Sequence, residues 1–234
     1  MTGGRIAVIP ARGGSKRIPR KNIRPFHGRP MLAWPIAAAT ASGLFDRIVV
    51  STDDPEIAEI ARACGAQTPF LRPAELADDH GGVAPVVRHA IQALGSTPGP
   101  AAMDFVCLIY PTAATLGPAP LREGFEALAA RPDKAYALSV ASFPAPVQRG
   151  LRITAEGALE ALHPEHRLTR SQDLEPAYHD AGQFCWGRTE AWLSGTPIFS
   201  DASLPVVLPR WLVQDVDTEE DWRRAELMFG ALNA

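Results

Sequence analysis

Pro10-Ala11-Arg12-Gly13-Gly14-Ser15-Lys16-Arg17-Ile18-Pro19-Arg20-Lys21-Asn22 is the stretch of the chain with the clearest capacity for chemistry. Two adjacent glycines let a backbone approach a ligand closely and turn its N–H groups inward. Ser15 adds a hydroxyl, and Arg12, Lys16 and Lys21 supply positive charge that complements phosphate oxygens. The combination suits a triphosphate, whose charge is too large for backbone dipoles alone. A solvated basic loop is the plainer alternative. The position of the run, after the apolar segment Arg5–Pro10 and between prolines, argues against it. The spacing is neither a Walker loop nor Gly-x-Gly-x-x-Gly. At the far end of the chain, Asp215-Val216-Asp217 places two hard carboxylates two positions apart. On an extended segment they face the same side and suit a magnesium ion that keeps water and phosphate oxygens as its other ligands. Thr218-Glu219-Glu220-Asp221 follows, so an acidic helix start is the competing reading. His163-x-x-His166 has no third ligand nearby and reads as a pair of surface histidines.

The charge distribution supports an anionic ligand. No Asp or Glu precedes Asp46, and residues 1–45 carry eight basic side chains, whereas the other 189 residues carry 15 basic and 26 acidic ones. An anion near the N-terminus follows from this asymmetry. Of the eight, Arg12, Lys16 and Lys21 are the expected phosphate contacts, while Arg5, Arg17, Arg20, Arg24 and Arg29 need not touch ligand. A pI near 6.1 is the wrong footprint for a nucleic-acid-binding protein. With 46% apolar and 21% charged residues the chain is globular. The long uncharged stretch near Met31–Phe45 is too short and too interrupted by Pro35 to span a membrane. Cys64, Cys107 and Cys185 are odd in number and widely spaced, as expected of reduced thiols in a cytoplasmic protein.

These residues need elements to position them. Strands are predicted at Arg5–Pro10, Arg47–Ser51, Phe105–Tyr110 and Ala135–Ser142, and helices at Pro30–Gly43, Glu56–Cys64, Val86–Leu94 and Leu121–Ala130. Pro35 must sit in the first turn of its helix or kink it. The alternation of near-continuous apolar strands with helices implies an α/β, Rossmann-like fold: a mostly parallel sheet with helices on both faces. The basic loop then lies at the carboxyl edge of the sheet, where open α/β folds bind ligands. One domain spanning 1–234 is expected, with a smaller irregular lobe inserted at roughly 143–200 that holds short strands at Arg149–Thr154 and Gln183–Gly187. Asp217–Leu232 is predicted as a closing amphipathic helix.

Ile9–Asn22 resembles the signature of the acylneuraminate cytidylyltransferases, the CMP-sialic acid synthetase family. Further similarities are Val50–Asp53, Phe70–Asp78, Tyr110-Pro111-Thr112 and Gln214–Thr218. Ser142–Pro144, Arg170–Leu174 and Tyr178–Phe184 most resemble the branch that acts on pseudaminic acid. The resemblance covers nearly the whole chain. It implies a nucleotide-diphospho-sugar transferase type of fold and an enzyme that joins CTP to a nine-carbon α-keto sugar acid for surface glycan or glycoprotein synthesis. The products are the CMP-sugar and pyrophosphate. It also implies a homodimer in which the lobe reaches the neighbouring subunit, and a magnesium ion on Asp215 and Asp217. By the same resemblance Ala11, Arg12, Gly13, Gly14, Ser15, Lys16 and Lys21 bind the triphosphate, and Asn22 and Arg72 contact the nucleoside. Arg12, Lys21 and Asp217 are the expected catalytic residues. Tyr110, Thr112, Arg170, Gln172, His179, Asp180, Gln183 and Phe184 are expected around the sugar, where Arg170 could pair with its carboxylate and the aromatic faces could stack on it. A polar subunit contact or a satisfied turn is the alternative for the run from Arg170 to Phe184. The family often carries Gln-Pro-Thr where this chain has Tyr110-Pro111-Thr112, which points away from plain sialic acid. Pseudaminic acid is the first expectation, then legionaminic or N-acetylneuraminic acid. A nicotinamide-dependent dehydrogenase fails on its missing glycine fingerprint, and the intact Asp215/Asp217 pair argues against a non-catalytic nucleotide-binding module.

Overall fold

The computed structural model describes residues 4–77, 82–95 and 103–233. Asp78, the last residue of the Phe70–Asp78 similarity, lies outside them. The strands are β1 (Gly4–Pro10), β2 (Pro25–Phe26), β3 (Arg29–Pro30), β4 (Arg47–Ser51), β5 (Met103–Ile109), β6 (Tyr136–Ser142), β7 (Leu151–Ile153), β8 (Leu159–Ala161), β9 (Tyr178–Arg188) and β10 (Ser203–Val207). The α-helices are α1 (Ala33–Ser42), α2 (Pro55–Ala63), α3 (Ala84–Gly95), α4 (Pro118–Ala129), α5 (Thr189–Ser194) and α6 (Glu219–Leu232).

Six strands form the central sheet in the order β10-β6-β9-β5-β1-β4. The pairs β1–β4, β1–β5 and β10–β6 are parallel, and β9 runs antiparallel to both β5 and β6. The sheet is therefore mostly parallel, as the strand–helix alternation requires. Alternate residues of β1 feed two cores: Ala7 and Ile9 pack with Ile36, Ile57 and Leu121 of α1, α2 and α4, while Ile6 and Val8 pack with Val87, Ile91 and Trp192 of α3 and α5. Helices on both faces explain why the strand residues are apolar on both sides. Pro35 is the third residue of α1, in the first turn, where its missing N–H costs nothing.

The expected lobe divides into two parts. Residues 143–177 leave the sheet and hold the exposed β7–β8 hairpin, but Tyr178–Arg188 returns as β9 to the middle of the sheet. The polar start of β9 hid its length in the sequence, since Tyr178, His179 and Asp180 lie at the sheet's open end. A third cluster fastens the two ends of the chain together. Ile18, Phe26 and Met31 pack against Val216, Trp222 and Phe229, which belong to α6 and its approach. Phe26 meets the rings of Trp222 and Phe229 edge-on, each at 5.4 Å. The Arg24 guanidinium lies 4.3 Å above the Trp222 ring and pairs with Glu219 at 2.6 Å. Trp222→Ala should destabilise the protein by about 3–5 kcal/mol in urea denaturation, the usual cost of emptying a buried tryptophan site. A loss below about 1 kcal/mol would show that this cluster does not hold the ends together.

Candidate active site

The basic loop begins where β1 ends, and three contacts fix its course. Ala11 extends the β1–β4 pairing by donating its N–H to the Ser51 carbonyl at 2.9 Å. Gly13 donates its N–H to Asp53 Oδ1 at 3.0 Å and lies against Asp54; a Cβ there would sit 2.7 Å from Asp54 Oδ2. Asp54 caps α2 by accepting from the N–H groups of Glu56 and Ile57 at 2.8 and 3.3 Å. Arg20, held at a φ of 57°, ties the far side of the loop to the same helix end by pairing with Asp54 and Glu56. Hydrogen bonds to its N-capping carboxylate, with the Arg20 charge beside it, hold Asp54 below the ordinary carboxylate range against the opposing effect of burial.

Ile18 is buried in the third core cluster and pulls the middle of the loop down. Asn22 then reaches back, donating from Nδ2 to the Arg12 carbonyl at 3.0 Å, while its buried Oδ1 has no hydrogen-bond partner among the described residues. Such an acceptor is a ready place for a ligand donor. Lys21 crosses to the opposite end of the chain, donating from Nζ to the Val216 carbonyl at 2.5 Å and lying 3.3 Å from Asp217 Oδ1. Arg17 pairs with the same oxygen at 3.0 Å.

These groups enclose a cleft of about 350 Å³ at the carboxyl edge of the sheet. Arg12, Ser15, Lys16, Lys21, Asn22, Arg72, Tyr110, Thr112, Asp215 and Asp217 all line it. Ala11 is buried in the core, and Gly13 acts through its contacts with Asp53 and Asp54. Gly14 is exposed at the surface of the loop. Arg72 is 6% exposed and is held by Ser51, donating from Nε to Oγ at 3.2 Å and from a terminal nitrogen to the carbonyl. Burial pulls its pKa down to about 10, with Asp53 opposing and Arg12 adding to the fall. A cation this far out of water gains strongly from an anion brought to it.

Asp215 is pushed upward mainly by burial and then by the charge of Asp217, with Lys21 opposing. No group of three or more His, Cys, Asp or Glu side chains able to hold a metal exists among the described residues. The protein thus offers two carboxylates and leaves other positions to phosphate and water, which fits magnesium. The acidic helix start is observed: Thr218 is the N-cap of α6, completing a capping box with Asp221, and Asp217 lies just before it.

Beside the carboxylates, the Tyr110 hydroxyl donates to Asp180 Oδ2 at 3.5 Å, and burial, followed by the charge of Asp180, pushes the phenol upward. His179 is half-buried and accompanies Phe143, with ring centroids 5.1 Å apart. Thr112 lines the cleft, but four of the expected sugar contacts are not brought together here. Phe184 is fully buried in the core against α4, and Gln183 is 3% exposed with its amide bonded to Thr115 and Leu212. Arg170 and Gln172 lie exposed on the lobe, where Arg170 pairs with Asp173 at 2.7 Å. Two contributors escaped the sequence reading. Arg17 was set aside with the non-contacting arginines yet faces the cleft and Asp217, and Asp53 anchors Gly13. Charge alone could have included Arg17; only the fold shows which acid it meets.

The cytidylyltransferase family model matches residues 6–209. The chain belongs to the cytidylyltransferase family. It is 41% identical over 224 residues to a pseudaminic acid cytidylyltransferase of Campylobacter jejuni, covering 96% of this chain and 95% of that one. It is 32% identical to a CMP-N,N'-diacetyllegionaminic acid synthase of Legionella pneumophila, covering 96% and 95%. A solved CMP:2-keto-3-deoxy-manno-octonic acid synthetase complexed with CTP shares the fold of this cytidylyltransferase, with a TM-score of 0.69 at 16% identity over 98% of this chain and 99% of that one. Gly13→Ala should leave the fold intact and weaken CTP binding on the order of tenfold, about 1.4 kcal/mol, because the new methyl group displaces the loop from Asp54. Calorimetry showing unchanged affinity would mean that the loop does not need this close approach.

Proposed function

We propose that this cytidylyltransferase condenses CTP with pseudaminic acid to give the CMP-sugar and pyrophosphate. The observation that carries the reading is the meeting, in one cleft, of a basic loop and a carboxylate pair that are almost 200 residues apart in sequence, beside the Tyr110–Asp180 pair. The 41% identity over nearly the full length of a relative named for pseudaminic acid supports that sugar.

Arg12, Ser15, Lys16 and Lys21, with the backbone of Ala11, Gly13 and Gly14, would hold the triphosphate, and Asn22 and Arg72 the nucleoside side. The hydroxyl on the anomeric carbon of the sugar attacks the α-phosphorus. Its oxygen forms the new P–O bond as the bond to the bridging oxygen breaks, the hydroxyl proton is released, and pyrophosphate leaves in line. Catalysis of this kind is positioning and electrostatics. Arg12 and Lys21 stabilise the charge that builds on pyrophosphate. Asp215 and Asp217 would hold a magnesium ion, which when bound polarises phosphate oxygen and lowers the pKa of the attacking hydroxyl.

Tyr110, Thr112, His179 and Asp180 would face the sugar. The lobe exposes Leu151, Ile153, Leu159 and Leu168, the last at 97%. An apolar surface of this kind supports a homodimer in which Arg170 and Gln172 reach the cleft of the second copy. No helix among the described residues is long and apolar enough to cross a membrane, and a cytoplasmic enzyme is proposed.

A pyrophosphate-release assay with CTP and magnesium tests the reading across pseudaminic, legionaminic and N-acetylneuraminic acids. Pseudaminic acid should give the highest kcat/KM. A higher value for legionaminic acid would transfer the chain to the specificity of its Legionella relative, and no release with any of the three would refute the reaction. In the same assay Asp217→Asn should lower kcat by at least about a hundredfold, as expected when a group acting on the transition state is lost. Near wild-type turnover would remove Asp217 from the chemistry.

A further inference from the structure

β9 departs from regular pairing at one place. Leu138 pairs with Cys185 and Val140 with Asp180, so residues 181–184 of β9 face the single residue Ser139 of β6. The bulge is satisfied internally. The Ser139 hydroxyl donates to the Phe184 carbonyl and accepts from the Phe184 N–H, each at 3.1 Å, and Asp180 Oδ1 accepts from the Gly182 N–H at 2.9 Å. Gly182 takes a φ of +60°, and a Cβ there would lie 3.6 Å from the Asp215 carboxyl carbon. A bulge of this kind re-aims side chains that regular pairing would direct elsewhere.

The side chain it re-aims is Gln183. Its backbone carbonyl accepts from the Tyr110 N–H at 2.9 Å, which fixes it to the end of β5. Its amide nitrogen donates to the Leu212 carbonyl and to Thr115 Oγ1, the latter at 3.3 Å. Thr115 in turn donates to the same Leu212 carbonyl at 2.6 Å. Two donors from two different elements therefore converge on one carbonyl, three residues before Asp215. The segment from Leu212 to Asp217 has no strand partner among the described residues. Its course is set by this junction at one end and, at the other, by the burial of Val216, the Lys21 bond to its carbonyl and the bonds of Gln214 and the Asp217 N–H to Asp221.

We infer that Gln183 is a positioning residue: with Thr115 it anchors the Leu212 carbonyl, so that Asp215 and Asp217 stay in the cleft opposite the basic loop, where they would hold a nucleotide-bound divalent cation. The inference rests on the reading of those carboxylates given above, but not on the identity of the sugar. It also accounts for a buried polar side chain at the edge of the cleft that does not line it. An amide buried this completely is retained at a cost unless its hydrogen bonds serve the structure around it.

Mn2+ binding measured by electron paramagnetic resonance in the presence of CTP, with no sugar, tests this directly. Gln183→Met keeps the volume and removes the donor, and Thr115→Val removes the second one. Each should weaken Mn2+ binding at least about fivefold and lower kcat about tenfold, while the affinity for metal-free CTP stays within about twofold because the basic loop and Arg72 do not touch Gln183. The double variant should be no worse than about twofold beyond the weaker single one, since both act on one carbonyl. If Gln183→Met does not fold, Thr115→Val alone decides. Unchanged Mn2+ affinity and kcat with only a lower Tm would make Gln183 a purely structural residue and overturn the inference. Absence of Mn2+ binding to the wild-type protein would overturn it as well. A wild-type protein that binds Mn2+ with CTP but turns over no sugar acid defeats the proposed reaction while leaving this test intact.

Discussion

The packing of α6 and its approach against the basic loop and the segment that follows it is the constraint on which the rest of the site depends. Ile18, Phe26 and Met31 bury themselves against Val216, Trp222 and Phe229, and this apolar contact brings together charges that lie at opposite ends of the chain. Hydrophobic burial supplies most of the attraction, because it is large and survives salt. The Arg24–Glu219 pair and the Lys21–Asp217 contact are partly exposed and contribute little stability by themselves. Their value is geometric: they appear where the core has already placed the two segments.

The charge balance of the cleft follows from that placement. Lys21 and Arg17 sit beside Asp217, and Lys21 opposes the upward pull of burial on Asp215. Across the cleft Arg72 is a buried cation held by Ser51 and faced by Asp53. Each charge is only partly compensated within the protein. In the proposed reading a magnesium nucleotide, carrying both signs, would complete the set, with Arg12, Lys16 and Lys21 meeting phosphate and Asp215 and Asp217 holding the metal. The insertion of β9 between β5 and β6 places Asp180 beside Tyr110 at the same edge, so the residues proposed for the sugar and for the nucleotide share one rim.

Much of this was legible in the sequence, for reasons that differ by element. Arg47–Ser51 was recovered at its observed limits because Ile48-Val49-Val50 is β-branched, and Asp54-Pro55-Glu56 marks a helix start by local chemistry alone. The basic loop was legible because glycine, serine and five cations in one short run have few other uses. The carboxylate pair was legible as a pair, but its partner Arg17 was not, since only the fold decides which of eight N-terminal cations meets Asp217. The sugar side was least legible. Gln183 and Phe184 share a polar and aromatic run with Asp180, yet the bulge turns Gln183 toward Leu212 and sends Phe184 into the core. A bulge opposite one serine leaves no periodic trace, because it breaks the alternation by which strand faces are assigned.

The most direct test of the central claim, that the basic loop and the carboxylate pair form one site around a magnesium nucleotide, is a calorimetric titration of CTP with and without magnesium in the wild-type protein and in Asp215→Asn. The account predicts that magnesium tightens CTP binding by about tenfold or more in the wild type, roughly 1.4 kcal/mol, and that the gain is lost in the variant while metal-free CTP binding persists through the basic loop. An equal magnesium effect in both proteins would contradict it.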